Sequence, residues 1–461
     1  MKLLYIGAGF VGTCSAAVSA DSGHDVIVYD IDKRKIEELG SFDRDRIEDC
    51  LHEQGLGDLL VRNKQRVTFT TDYTKVEQFI DDVDAVFMCL PTPEIGETGQ
   101  SDLSYYTKAG EQLAVVLAKR NGAEQKKYVV IVNKSTVPIE MVDQTAELLH
   151  NAGVQNVGVV SNPEFLVEGK AIEGALKPDR VVVGAWTEQD FSIMRNVYHR
   201  FVNSPNVQYI EVNPKEAAAG KLLANFYLFL KLANCFDVIG RVSETFDSVS
   251  FEQLRKIISS DKRLGSWGLF DSLYAGGSCF IKDSRSLAYQ LRSEGVETSI
   301  VDEVYLANKR QLSLFLSRGE RDAHIDWRNK KVALLGTAFK RDTNDVRNSP
   351  SIDIVKFLED KGVEEIYIHD FVALDNFKAI FKEKDNIDYT TNIVDAIKDA
   401  YVCIIATDWP QYRSIMLDLK FYMHGGIIMD GRRILQHAYN DLQESGFDII
   451  AVGSPFLKAK K

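Results

Sequence analysis

The chain holds 461 residues, too many for one hydrophobic core and enough for two or three domains. Apolar residues make up 45% and charged residues 26%, an ordinary balance for a soluble globular protein, and the net charge of −12 excludes a surface built for nucleic acid. Six scattered cysteines (14, 50, 89, 235, 279 and 403), with no CxxC pair, read as reduced thiols of a cytoplasmic protein and exclude a disulfide framework or a zinc site.

The N-terminal stretch MKLLYIGAGFVG is broken by glycines and leads into an amphipathic segment, so it does not read as a signal peptide. The runs LLYIGAG, DVIVYDID and DAVFMCLPTP alternate with helical patterns. They are followed by YVVIVN (128–133), VGVVS (157–161) and RVVVG (180–184). Buried apolar strands separated by helices predict parallel βαβ units in a doubly wound sheet.

Residues 213–245 open with Asn-Pro and a Glu in the first turn, then run apolar on most faces without an internal proline. This predicts a single long helix acting as a spine and packing against a second subunit. No stretch is expected to approach the ~18 apolar residues of a membrane span. Residues 317–330 read as a polar linker. A second alternating region follows, with strands expected at 330–340, 364–370, 400–409, 425–431 and 447–453. The basic tail Lys458–Lys461 reads as a solvated end. The expected fold is α/β: two Rossmann-like, doubly wound parallel-sheet domains joined by a long helix and a helical central domain. The expected segments are 1–212, 213–316 and 317–461.

Gly7-Ala-Gly9-Phe10-Val11-Gly12 follows a strand and opens a helix, the arrangement that cradles a dinucleotide pyrophosphate. Asp30 lies 18 residues past Gly12, where an acid bonds the adenosine ribose and disfavours a 2′-phosphate. NAD is therefore the expected cofactor, with Lys33 and Lys35 close by in sequence. Polar motifs end several strands: VNKSTVP (132–138) and SNPEFLVEGKAIEG (161–174). Lys221 and Asn225 share one helix face. Taken singly, each residue has a plain structural reading: Glu164 a helix-start acid, Asn225 a satisfied core amide, Lys221 a snorkelling surface lysine. Likewise Asp283 reads as a helix N-cap and Cys279 as a small hydrophobe.

Taken together, GAGFVG (7–12), KSTVP (134–138), NPEFLVEG (162–169), Lys221 with Asn225, GGSCFIKD (276–283), GTAFKRDTNDVRNSP (336–350) and DGR (430–432) resemble the UDP-glucose/GDP-mannose 6-dehydrogenase family, over nearly the whole length. The resemblance implies an enzyme that oxidises the C6 alcohol of UDP-glucose to a carboxylate with two NAD, and the cysteine pattern and apolar spine add the expectation of a cytoplasmic homodimer with no metal. The alternative is a 6-dehydrogenase for GDP-mannose or another UDP-hexose. By the same resemblance Cys279 is the nucleophile, and Lys221 with Asn225 stabilises charge at C6. Asp283 and Thr136 position water, and Glu164 is the general base. NAD falls to Gly7, Gly9, Phe10, Val11, Gly12, Asp30, Lys35, Thr92, Thr136 and Glu168. The sugar nucleotide falls to Glu164, Phe165, Leu166, Lys221, Asn225, Gly276, Gly277, Phe339, Lys340 and Arg432. For Lys340 and Arg432, surface ion pairing remains the other reading. The chain departs from the family pattern at Ser272-Leu-Tyr-Ala275, ahead of the two glycines, and at Asn344 and Phe236-Asp237.

Overall fold

The computed structural model describes residues 1–119, 127–270, 272–381 and 384–460, so Lys461 of the basic tail lies outside the described residues. The chain divides into two compact units: Met1–Ala224 with Tyr289–Gly295, and Asn225–Ala288 with Val296–Lys461. Each unit holds one sheet and its own apolar core.

The first unit contains β1 (Lys2–Ile6), β2 (Asp25–Tyr29), β3 (Val67–Thr70), β4 (Ala85–Met88), β5 (Val129–Asn133), β6 (Val157–Ser161), β7 (Arg180–Gly184) and β8 (Gln208–Val212), in the order β3-β2-β1-β4-β5-β6-β7-β8. Strands β1 to β6 are parallel, but β7 meets β6 antiparallel through Ser161 and Gly184. The expected doubly wound parallel sheet is present, with this one antiparallel pairing as the exception. The helix between β6 and β7, Ala171–Leu176, has six residues. At ~1.5 Å per residue it rises less than the length of a five-residue strand, so β7 starts from the end where β6 stops.

The second unit contains β9 (Lys331–Leu335), β10 (Glu365–His369), β11 (Ile387–Thr390), β12 (Val402–Ile405), β13 (Gly426–Asp430) and β14 (Phe447–Ala451), in the parallel order β11-β10-β9-β12-β13-β14. The interior strands carry the unbroken apolar runs seen in the sequence, whereas β3, β8 and β11 do not. These are edge strands with mixed burial, and their alternating polar residues hid them from a search for continuous apolar segments.

The two sheets share one opening device. Gly7 N donates to Tyr29 O at 2.8 Å with φ +107°, and Gly336 N donates to His369 O at 2.7 Å with φ +96°. In both, the chain turns sharply from the first strand toward its helix, a backbone shape that side chains disfavour.

The spine runs without a break as the helix Pro214–Asn234, a π-helical turn at Cys235–Ile239 and the helix Gly240–Thr245. The boundary between the units falls inside it, between Ala224 and Asn225. Contrary to the sequence expectation, these 32 residues are by length and composition apolar enough to cross a bilayer, with 44% of the most apolar window buried inside the protein. Past Asn225, two of its charges are matched by neighbours in the second unit. Lys231 Nζ donates to Leu264 O at 2.8 Å, and Asp237 pairs with Arg310 at 2.6 Å.

Residues 317–330 do not form the expected polar linker. Residues 317–321 complete the helix Ser299–Arg321, and Ile325 and Trp327 enter the core of the second unit. Arg318 is buried, paired with Asp322 at 3.0 Å and donating to the Ala451 and Ser454 carbonyls. Its charge signals a partner rather than exposure to solvent.

Candidate active site

The first unit carries the dinucleotide cradle. A Cβ at Gly7 would collide with the Cys89 carbonyl, and one at Gly12 with the Gly7 carbonyl, so both glycines are demanded by the protein's own packing. Gly9 differs: nothing lies within 4 Å of its Cβ position. It caps the helix Phe10–Asp21 with no side-chain cap, leaving the first-turn N–H groups available for an anion. Phe10 and Val11 are half-buried beside it. Asp30 follows β2, accepting from Ala8 N at 2.7 Å through Oδ2 and from Asp32 N at 2.9 Å through Oδ1. Lys35 lies 3.8 Å from Asp32. Thr92 Oγ1 donates to Thr136 O at 2.8 Å, joining the loops after β4 and β5.

In the second unit the matching acid is Asp370. It is fully buried and accepts from Thr337 N, Ala338 N, Val372 N, Ala373 N and Trp409 Nε1. Asp30 also accepts backbone bonds at both oxygens, but it is half-buried, whereas Asp370 is fully buried and bonded by Trp409, so no accessible acid stands at that position of the second lobe. The open Gly9 position and the half-buried Asp30 fit NAD to the first unit alone.

The loop after β6 holds Glu164, Phe165, Leu166 and Glu168. Glu164 Oε1 lies 3.2 Å from Lys221 Nζ, with side-chain exposures of 11% and 5%, and Glu164 Oε2 accepts from Leu166 N at 2.5 Å. Lys221 is thus no snorkelling surface lysine. The Phe165 ring lies 3.8 Å from the Arg180 guanidinium and 5.2 Å from the Lys221 ammonium. Glu168 is half-buried.

Buried groups that the sequence reading left unassigned secure both ends of this loop. At one end Asn162 accepts from Lys134 Nζ at 3.1 Å and Tyr198 OH at 2.5 Å, and donates to Val182 O at 2.7 Å. At the other, the Glu53 carboxylate accepts from Gly169 N at 2.5 Å and Ala171 N at 2.9 Å. Glu53 is 116 residues from Gly169 in sequence, so no local pattern announced it. Lys134 stood within KSTVP, where a lysine ending a buried strand was the available signal. A cavity of about 400 Å³ opens beside this loop, lined by Lys134, Asn162, Glu164, Phe165, Arg180 and Tyr198 among others.

Burial pushes the Lys134 ammonium down to about 8, against the opposing pull of Cys89 and Glu164. Lys221 lowers it further. Because the folded value lies below the unfolded one (~10.4), the folded state is penalised wherever both states are protonated. The penalty is full below pH 8 and disappears as pH rises toward 10.4. Lys134→Met is therefore expected to raise unfolding free energy by up to about 3 kcal/mol at pH 7. Urea titrations at pH 7 and pH 10 check this, with the gain shrinking at the higher pH.

The second unit carries the thiol. Cys279 is exposed and is the first residue of the helix Cys279–Ser293, where backbone N–H groups favour an anion. Among the described residues, which include all six cysteines, no disulfide forms. One turn along, Asp283 is buried within the helix rather than capping it. It accepts from Asn225 Nδ2 at 2.6 Å and pairs with Lys282 at 2.7 Å. Asn225 and Asp283 thus form one buried unit. Gly277 N donates to Arg347 O at 3.1 Å, and Gly277 O accepts from Asn348 Nδ2 at 3.0 Å.

The two glycines ahead of Cys279 have an internal reason to be small. A Cβ on Gly276 would lie 2.5 Å from Asn348 O, and one on Gly277, at φ +80°, 2.9 Å from the Phe339 ring. Gly277→Ala is expected to cost about 1–3 kcal/mol through backbone strain and displacement of that ring, read as a lower midpoint in thermal denaturation.

Arg432 reaches across its own lobe. It donates to Ala406 O at 2.7 Å, Ser272 Oγ at 2.6 Å and Phe339 O at 2.7 Å. These bonds tie the segment bearing Phe339 and Lys340 to the loop ahead of Cys279, and Arg432 forms no surface ion pair among the described contacts. Lys340 is half-buried, its Nζ 5.5 Å from the Phe339 ring.

Comparison with known proteins matches this layout. Residues 1–202 match the NAD binding domain of the UDP-glucose/GDP-mannose dehydrogenase family, 215–310 its central domain and 333–437 its UDP binding domain. The chain is 32% identical to the UDP-glucose 6-dehydrogenase AglM of Haloferax volcanii over 94% of this chain and 97% of that protein. It is 30% identical to the UDP-glucose 6-dehydrogenase TuaD of Bacillus subtilis over 99% and 94%. Among solved structures, a UDP-glucose dehydrogenase from Pyrobaculum islandicum superposes with a TM-score of 0.83 at 28% identity, covering 94% of this chain and 95% of that one. Its cofactor is NAD, and the chain belongs to the UDP-glucose/GDP-mannose dehydrogenase family of oxidoreductases that act on nucleotide sugars.

Proposed function

We propose that this enzyme oxidises the C6 hydroxyl of UDP-glucose to a carboxylate through a covalent intermediate on Cys279. The observation that carries the reading is an exposed thiol at a helix N-terminus, one turn from a buried aspartate held by Asn225. Removing one hydride from an alcohol requires no thiol, whereas a four-electron oxidation needs a way to make the intermediate aldehyde a hydride donor again.

Bound NAD would supply a hydride acceptor, one molecule for each hydride removed from C6. The Gly9–Gly12 turn, the helix N-terminus and Asp30 would hold it, with Lys35, Thr92, Thr136 and Glu168 completing its site. Lys221 stabilises the alkoxide that forms when the C6 hydroxyl loses its proton, with Asn225 as a second donor. The Cys279 thiolate adds to the C6 aldehyde, forming a C–S bond and a thiohemiacetal. Loss of its hydride, with the hydroxyl proton passing to water, leaves a thioester. Glu164 takes a proton from water, which attacks the thioester carbonyl, and the C–S bond breaks to return the thiolate. Thr136 and Asp283 orient that water. Phe165, Leu166, Gly276, Gly277 and Phe339 contact the sugar nucleotide, and Lys340 and Arg432 lie toward its diphosphate. The segments 1–212, 213–316 and 317–461 serve as NAD-binding, central and UDP-sugar-binding domains.

Leu223, Tyr227 and Val238 of the spine are more than half exposed, and we assign that apolar face to a homodimer in the cytoplasm. The test of substrate is NADH counted per limiting sugar nucleotide. UDP-glucose is expected to yield two, with UDP-glucuronate as product. Two NADH from GDP-mannose and none from UDP-glucose would overturn the assignment.

A further inference from the structure

The loop that delivers Cys279 buries the Leu273 and Tyr274 side chains in the core of the second unit, and its backbone is gripped by polar side chains of a neighbouring helix. Ala275 N donates to Asn308 Oδ1 at 2.7 Å, while Asn308 Nδ2 donates to Ala275 O at 3.1 Å. One carboxamide thereby satisfies both polar groups of a single residue, as a neighbouring strand would. One turn further along the helix Ser299–Arg321, Gln311 Nε2 donates to Ser272 O at 3.0 Å. Asn308 is 1% exposed and Gln311 2%. The Gln311 carbonyl is itself fixed by Arg241. From the other side Arg432 holds Ser272 Oγ, and Asn348 holds Gly277 O.

We propose that Asn308, supported by Gln311, is a positioning residue for the Cys279 thiol, fixing the backbone of the loop that leads into its helix. The proposal rests on the reading of Cys279 as the nucleophile, but it makes a claim about loop position that holds for any sugar. Between Ala275 and Cys279 lie three residues, two of them glycines, and glycines transmit no side-chain packing of their own. The register of the thiol is therefore set by what grips the backbone. Without the Asn308 amide, two buried backbone groups lose their partners, and the loop relaxes until water reaches them. The first turn of the helix then loses its fixed start, and with it the ordered N–H groups beside the sulfur.

The experiment uses the full-length protein and two substitutions. Asn308→Leu removes both bonds at similar volume. Asn308→Asp keeps an acceptor for Ala275 N but presents a carboxylate to Ala275 O, and it is read in the same way if the leucine variant does not fold. The first readout is iodoacetamide alkylation of Cys279 at pH 7, followed by peptide mass mapping. Its rate is expected to fall about five-fold, with the midpoint of its pH profile moving upward. The second is turnover: kcat for two-NADH oxidation is expected to fall about 10- to 100-fold, with NADH per sugar dropping below two. NAD affinity, titrated by fluorescence, is expected to stay unchanged because its cradle lies in the other unit.

Unchanged Cys279 alkylation with full turnover in a folded variant would overturn the proposal. So would a parallel loss of NAD affinity, which would mark general destabilisation. A Cys279→Ser enzyme that still yields two NADH would overturn the proposed function alone, since the alkylation readout in the Asn308 variants does not depend on it.

Discussion

Cys279→Ser is expected to halt the reaction after the first hydride, with UDP-glucuronate formation falling by at least about a thousand-fold. Serine has nearly the same shape and occupies the same helix N-terminus, so the loop and its clamp should persist. A hydroxyl is far harder to ionise than a thiol, and the helix N-terminus is worth only about 1–2 kcal/mol, far too little to make serine a nucleophile at neutral pH. The aldehyde is then left without its covalent route to a second donor. The assay counts NADH and uronate per sugar: the substitution should leave at most one NADH and no uronate. Retention of two NADH at the parent rate would show that the thiol is dispensable.

Lys221→Met is expected to lower kcat by about 10²–10³-fold, the usual loss when an oxyanion donor is removed from a water-poor site. It should also destabilise the protein, because Glu164 would lose the ammonium 3.2 Å away while remaining 11% exposed. Breaking one side of a buried pair costs about 3–5 kcal/mol. The Leu166 N–H that also bonds Glu164 places the expectation at the lower end. The double variant Lys221→Met/Glu164→Gln isolates the stability effect, since it removes both charges together. Urea unfolding should recover most of the lost stability in the double variant, while kcat for Lys221 is read from the single variant below its unfolding midpoint. A single Lys221→Met variant with parental kcat would remove Lys221 from the chemistry.

Much of this architecture is legible in the sequence because the interior strands of both sheets are continuous apolar runs bounded by polar motifs. The exceptions have physical causes. The edge strands β3, β8 and β11 alternate burial, and the reversed β7 follows from a helix too short to carry the chain back. Lys231 and Asp237 interrupt the spine's apolar run in sequence, although both are paired within the fold.

The glycine turn, Asp30 and Cys279 are legible because the chemistry proposed for them needs particular residues at particular spacings. Glu53, Asn162 and Asn308 were not visible, since each acts on backbone groups distant in sequence. An acid that grips Gly169 and Ala171 reads in a single chain like any polar residue between two helices. Arg432 shows the converse. It was visible as a cation facing phosphate, yet the structure spends its guanidinium on Ser272, Ala406 and Phe339, so any contribution to a diphosphate works alongside a structural role.

The covalent route is tested most directly by intact-mass analysis of the Glu164→Gln enzyme mixed with UDP-glucose and excess NAD. With the general base removed, the thioester should form faster than it hydrolyses. The protein mass should then rise by that of a UDP-glucuronyl group, mapped to Cys279 and absent from Glu164→Gln/Cys279→Ser. Glu164→Gln protein that remains unmodified while UDP-glucuronate accumulates would contradict a thioester on Cys279.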